Sequence, residues 1–546
     1  FKHIDRTRLM LVMTTRPDQS PSFTETVLQL SPLGWGDSLA LVNGICESGQ
    51  IGQKAAETLV QRAGGNPFFV EELALAAQAG GNPTGDLPET VQAVIAARIG
   101  TLDPASRNLL YIVAIAGPPA APELIAHLTN QGPDSVENGM RLLMLQGFIQ
   151  IEPSGYSFRH MLINDTAYAM VAPDERRHQH AEIAHYLEGS RGEEARPEEL
   201  AWHHQQAGQT GQAINYWAAA SRAALYRSAR HEVITFAENG LALIDGSTEK
   251  AARTELDLQL CRASALTALR GFGAKEAGAA YYRAQQLSNQ VGTVKTEIRV
   301  LVGLWIHTWV RGQLTQSLKH AGRLLNLAEK VKDPELSLQA HASAGQVLLH
   351  TGDLENALSH LTEGLAAIDG AAPTSMPAQN SAVSCAAYAA WSASMLGRPD
   401  EVARFLERSK GLCSTYANPF ADAIHYALGA EPFMFLGDVE GCLIYANRAV
   451  ELSREHDFVF WLATGLVMKG WALSQTGETD AAIAAVDEGI AIFEATGAGV
   501  QLSNWYGLKA EVLLAARENE LALKAANHAL ACAERAEDVY FVPRIH

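Results

Sequence analysis

Over the C-terminal half of the chain the apolar positions are helical at short range and repeat at long range. A short turn phrase returns as Gly312-Gln-Leu, Gly352-Asp-Leu, Gly397-Arg-Pro, Gly437-Asp-Val, Gly477-Glu-Thr and, with the glycine replaced, Arg517-Glu-Asn, in steps of 40, 45, 40, 40 and 40 residues. Seven residues before these turns stand Trp305, Gly345, Ala390, Ala430, Gly470 and Ala510, and five after them Ser317, Ala357, Val402, Cys442, Ala482 and Ala522. Twelve after come Leu324, Gly364, Ser409, Ala449, Gly489 and Ala529. Most are small, which lets two helices of a hairpin, and the next hairpin, approach closely while Leu348, Leu361, Leu473 and Leu513 fill the space between. Glycine at the turn accommodates a left-handed helix-ending conformation. The five extra residues before Gly397 are absorbed by Gly370-Ala-Ala-Pro-Thr-Ser-Met-Pro, and weaker copies around Ser228 and Gly273 bring the expected total to about eight hairpins.

The front third is patterned differently. Arg8 to Pro17 reads as a buried strand with Arg16 at its tip. Asp37 to Cys46 and Gly52 to Arg62 have helical apolar spacing, and Gly64-Gly65-Asn66-Pro67 interrupts it before a helix from Phe68 to Gln78. Leu87-Pro88-Glu89-Thr90-Val91 opens another helix. Helices to Ile115, over Glu123 to Leu128 and over Val136 to Gln146 precede a segment, Gly147 to Phe158, that reads as two short strands around a turn. Three helices and such a wing predict a winged helix. His160 follows directly, at the start of a helix containing Tyr168. The expected domains are therefore residues 1–86, residues 87–186 and a solenoid over 187–546.

Composition strengthens the helical reading: apolar residues make up 47% of the 546 but aromatics only 7%, and alanine-rich runs favour close helix packing. A chain of this length exceeds one core, and a solenoid that grows by stacking resolves that. The net charge of −18 opposes attachment to nucleic acid or anionic lipid, and no apolar run approaches the roughly 18 residues of a membrane span. The six cysteines lie far apart without a CxxC pair, which predicts reduced core thiols in a cytoplasmic protein. His178/His180 and His203/His204 are spaced wrongly for a shared metal on a helix, and Trp305, Trp309, Trp391, Trp461, Trp471 and Trp505 are expected in the core rather than on a ligand surface.

The repeat resembles the tetratricopeptide pattern, lengthened from its usual 34 residues, and implies a right-handed stack of hairpins that holds a protein or small-molecule ligand. The front third resembles the STAND class of signal-transduction ATPases, above all bacterial multidomain regulators in which a nucleotide cyclase or other output module precedes the ATPase and a tetratricopeptide tail follows. The strand ending Thr14-Thr15-Arg16 matches the family's sensor arginine near the γ-phosphate; Gly65-Asn66-Pro67 matches the lid motif that packs on adenine, continued by Phe68-Phe69-Val70-Glu71-Glu72. His160 aligns with a histidine that contacts the β-phosphate of ADP, although Met161 replaces the aspartate that follows it in the family. The resemblance implies the end of an ATPase core, a helical lid and a winged helix, with ATP or ADP and magnesium as cofactors of the intact protein and homo-oligomers as an assembly.

No G-x-x-x-x-G-K-[ST] loop occurs in the chain, which begins at Phe1 a few residues before the sensor strand and so reads as part of a longer protein. A bare interaction scaffold and a winged-helix transcriptional regulator are the competing functions. The latter is disfavoured because Arg141 is the single base of the segment Ser135 to Gln146 and stands near Glu137.

Overall fold

The computed structural model describes residues 28–46, 51–78, 90–192, 195–246, 248–370 and 373–545, among which there are 27 helices and one two-stranded sheet. The chain divides into two compact units, one ending at Ser190 and the other beginning at Arg191. The expected strand over Arg8 to Pro17, with Arg16, lies outside the described residues, as does Leu87-Pro88-Glu89.

In the first unit, α1 (Trp35–Ile45), α2 (Gln53–Ala63) and α3 (Pro67–Gln78) pack around Val42, Leu59, Val70 and Leu73. Pro67 is the first residue of α3 rather than the break before it, because its missing N–H would find no intrahelical acceptor there and its fixed φ suits the first turn. α4 (Val91–Thr101) is capped by Thr90, whose Oγ1 accepts from the Ala93 N–H at 3.2 Å, and α5 (Pro104–Ala116) by Asp103. After α6 (Pro122–Thr129) and α7 (Pro133–Leu145) come β1 (Ile149–Glu152) and β2 (Gly155–Phe158), an antiparallel pair with Ile149 opposite Phe158. Ala120 bridges to Tyr156 on the outer edge, and a Cβ at Gly155 would lie 2.3 Å from the Ala120 carbonyl oxygen, so only glycine lets the two backbones meet. α8 (Met161–Met170) and α9 (Pro173–Arg191) complete this unit.

The second unit opens with α10 (Pro197–Gln206) and continues as hairpins: α11 (Thr210–Tyr226) with α12 (Arg230–Ala242), α13 (Glu249–Arg270) with α14 (Lys275–Val291), α15 (Val294–Val310) with α16 (Leu314–Val331), and α17 (Pro334–His350) with α18 (Leu354–Ala366). α19 (Met376–Met395) pairs with α20 (Pro399–Tyr416), α21 (Pro419–Leu436) with α22 (Val439–His456), α23 (Val459–Gln475) with α24 (Thr479–Ala495), and α25 (Leu502–Ala515) with α26 (Asn519–Ala536), followed by the single turn α27 (Val542–Ile545). This makes eight hairpins among the described residues, as the repeat predicted.

The hairpin turns have the conformation their glycines imply: Gly312, Gly352, Gly397, Gly437 and Gly477 lie at φ between +70 and +89°. Arg517 holds the same left-handed position at +65° without glycine. Small residues sit where helices are closest. A Cβ at Gly345 would come 2.5 Å from Leu361 Cγ, and one at Gly470 2.4 Å from Val486 Cγ2. First helices of successive hairpins also pack on one another, α17 on α19, α19 on α21 and α21 on α23, and these are the most buried helices of the stack.

Candidate functional site

Of the residues that the sequence singled out in the first unit, those that are described converge; Arg16 lies outside the described residues. Gly65, at φ +78°, is buried under residues 32 and 33, and its carbonyl accepts from the Leu33 N–H at 2.8 Å. Asn66 Oδ1 caps α3 by accepting from the Phe69 N–H at 3.2 Å, and both Asn66 and Pro67 are exposed. The next residue, Phe68, stacks on the imidazole of His160, with ring centroids 3.8 Å apart and 15° between planes. His160 Nδ1 accepts from the Leu162 N–H at 3.1 Å and so caps α8, which leaves Nε2 as the proton-bearing nitrogen of the neutral ring. Two motifs more than ninety residues apart in sequence thus form one exposed edge.

An ionic junction that sequence reading missed lies behind this edge. Glu72 on α3 and Arg98 on α4 form a buried ion pair. Arg98 also donates to the Gln146 carbonyl at 2.6 Å and lies over the Phe148 ring at 4.5 Å. Burial pushes the Glu72 carboxyl up, and the Arg98 guanidinium beside it pulls the other way. The preceding residue, Glu71, pairs with Arg159 at 3.0 Å. Two adjacent acids on α3 therefore hold α4, the end of α7, the start of β1 and the corner before α8. Both acids stand in a segment whose motif match drew attention away from their charge. Arg141, the one base of α7, hydrogen-bonds Glu137 one turn before it at 3.1 Å.

In the second unit the stack closes on itself. The Val310 carbonyl, at the end of α15, accepts from the Gly499 and Val500 N–H groups at 2.7 and 3.0 Å, and the His350 carbonyl, at the end of α17, accepts from Val539 and Tyr540 at 3.0 and 3.4 Å. Loops five hairpins further along thus dock on earlier turns. His350 Nδ1 is 3.2 Å from Asp538 Oδ1 across 188 positions of sequence, while Asp538 Oδ2 accepts from the Gln501 N–H at 3.1 Å and the Ser503 hydroxyl at 3.0 Å. Around them Trp309, Tyr388, Trp391 and Tyr540 pack ring against ring. Of the six tryptophans named from the repeat region, Trp305, Trp309, Trp391, Trp471 and Trp505 are buried in the core and Trp461 is half-buried. Glu431 on α21 is fully buried, accepts from Asn504 at 3.4 Å, and is pushed up by burial to about 8. A partner of this solenoid must use surface other than this filled interior.

The cysteines and His180 are core residues. All six cysteines are free and buried, with burial raising the Cys261 thiol to about 11 and the Cys413 thiol to about 12. His180 is a core histidine whose Nε2 meets the Tyr168 hydroxyl at 2.9 Å, and burial lowers it to about 4. No helix among the described residues is long and apolar enough to cross a membrane.

No protein-family model matches the chain. It is 23% identical over 572 residues to the uncharacterized protein R02095 of Rhizobium meliloti (strain 1021), a match covering 98% of this chain and 55% of the relative, so the chain spans about half that protein's length. Among solved structures it is similar to the Signal Transduction ATPase with Numerous Domains (STAND) protein with a tetratricopeptide repeat sensor, PH0952 from Pyrococcus horikoshii, over 92% of this chain and 73% of that one, with a TM-score of 0.50 and 13% identity. A Rap protein complexed with competence and sporulation factor matches 62% of this chain and 94% of its own, with a TM-score of 0.41 and 14% identity. The first of these likenesses establishes a fold shared with a STAND protein that carries a tetratricopeptide sensor.

Proposed function

We propose that this chain is the regulatory and partner-sensing region of a nucleotide-switched signalling ATPase. The observation that carries the reading is the stack of His160 on Phe68, which sets a free imidazole N–H beside the exposed Asn66-Pro67 turn. In this reading α1 to α3 are the lid, and α5 to α7 with β1 and β2 are a winged helix. The residues fit a purine nucleotide: Pro67 offers an apolar face to a base, and His160 Nε2 can donate to a phosphate oxygen. Bound ADP would supply a negative charge for His160 to meet, adding a link between lid and winged helix. Arg16 would meet the γ-phosphate of ATP. The chain lacks a phosphate loop, so the reading assigns it nucleotide sensing and not hydrolysis.

The ion pairs support a mechanism for the switch. Glu72, Arg98 and the Gln146 carbonyl make α3 and the strand pair move as one body, so a change at the Asn66-Pro67 turn is passed on rather than absorbed. A ligand on the solenoid, together with exchange of ADP for ATP, would shift the population towards an open state and alter an attached output domain, a nucleotide cyclase among the candidates, or the oligomeric state.

The test is saturable binding of ADP and ATP to the intact polypeptide, with His160→Ala and Phe68→Ala each expected to weaken ADP by about tenfold, the worth of one charge-assisted hydrogen bond or stacked ring. Absence of any nucleotide binding, or partner capture by the solenoid that nucleotide leaves unchanged, would reduce the chain to an interaction scaffold.

A further inference from the structure

Where α16, α17 and α18 meet, a cavity of about 400 Å³ opens, and two histidines and a carboxylate point into it. His341 on α17 and His360 on α18 approach through their Nδ1 atoms, 3.1 Å apart, and Glu363, one turn beyond His360, brings Oε2 to 3.7 Å from His341 Nδ1. The three donor atoms all lie within 4.8 Å of one another. Gly364, at one of the small positions of the repeat, permits this approach: a Cβ there would lie 3.1 Å from His341 Cβ.

The two separations measured from His341 match those of ligands on one ion. With zinc bonds of about 2.0–2.1 Å, nitrogens separated as these are subtend about 100° at the metal, and the nitrogen–oxygen pair about 125°, on either side of the tetrahedral angle. The second carboxylate oxygen of Glu363 accepts from the Ser359 hydroxyl at 3.0 Å, an outer contact of the kind that orients a ligating carboxylate. The other charges lining the cavity are Glu329, Asp333 and Lys332, so the surroundings are net acidic. We propose that His341, His360 and Glu363 form a site for one divalent transition-metal ion of the zinc class, with the remaining coordination position open to the cavity. Imidazole and carboxylate donors together select such an ion over magnesium or calcium. The ion would clip α17 to α18 and leave a position for water or for a donor atom of a partner.

The test is calorimetric titration of the full chain with Zn2+, with Co2+ as a spectroscopic substitute. We expect one zinc per chain, d–d bands of four-coordinate cobalt, and loss in His360→Gln and Glu363→Gln of at least the 10- to 100-fold in affinity that even outer-shell partners are worth. Glu363 is 59% exposed, so its replacement leaves the core intact and separates a lost ligand from a lost fold. No stoichiometric binding at micromolar zinc, or binding that both substitutions leave unchanged, would overturn the site and leave a hydrogen bond between two imidazoles.

Discussion

Asp538 sits in a loop after the last full hairpin yet is completely buried, with three groups directed at it: His350 Nδ1, the Gln501 N–H and the Ser503 hydroxyl. Asp538→Ala strands all three donors, and because singly breaking a buried charged contact costs about 3–5 kcal/mol, a loss of about 4 kcal/mol is expected. His350→Ala removes one donor and ring packing against Trp309, Trp391 and Tyr540, for about 2–4 kcal/mol. The decisive quantity is their coupling. The double variant should be less damaged than the sum of the singles by about 1–3 kcal/mol, a range typical of residues in one hydrogen-bond network. Urea unfolding of the full chain, followed by tryptophan fluorescence and far-ultraviolet circular dichroism, measures all four corners of the cycle. In an open solenoid, where each repeat feels only its neighbours, residues 188 positions apart cannot couple. A coupling below about 0.5 kcal/mol, the usual error of additivity, would refute the closure of the stack.

Three further outcomes follow from the geometry. Arg517→Gly should stabilise the last hairpin by about 1 kcal/mol, because it frees an L-residue from φ +65°, and a shift of the urea midpoint at unchanged slope would show it. Glu431 has a folded pKa raised to about 8 against an unfolded value near 4.5, so its contribution to stability is greatest below the unfolded value and is lost as pH rises from there towards 8, at up to about 1.4 kcal/mol per pH unit. Glu431→Gln should therefore flatten the pH profile of stability and gain on the native protein at pH 8, which thermal melts across pH 5 to 9 would reveal. Arg98→Ala leaves Glu72 buried without its partner and should cost about 3–5 kcal/mol in the first unit's urea transition, whereas the paired change Arg98→Met with Glu72→Leu should recover most of it.

The repeat was legible because its determinants are local: small residues at fixed offsets from a turn, each answering a neighbour within one hairpin. The self-docking of the stack was not, since the segments that make it, Gly499 to Gln501 and Asp538 to Tyr540, lie outside the repeat positions and meet turns that stand far earlier in the chain. Asp538 and Glu431 reverse the ordinary preference of carboxylates for solvent, and no periodicity marks such exceptions. In the first unit the Asn66-Pro67 turn and His160 were found by motif, but their contact runs through Phe68, which the sequence marked only as a continuation of the first motif. Arg16, the third member of that reading, lies outside the described residues. The cluster of His341, His360 and Glu363 could have been found. The hairpin register places His341 eleven residues before Gly352 and His360 eight after it, on facing arms, and attention to adjacent histidines alone passed over the pair.

The docking of Val500 on Val310 has a consequence for how such a protein can change over time. Genes for tandem repeats gain and lose whole units by recombination, and an open array tolerates it, since each new junction resembles the old one. Here the edge of one hairpin meets the edge of another five units later, so removing a unit between them would bring a loop without the Gly499 backbone or the Asp538 carboxylate against the waiting turn. The number of units between α15 and α26 is thereby counted by the fold itself. Variation in repeat number should be confined to the hairpins before α15, and the arm from there onward should be inherited as one indivisible length.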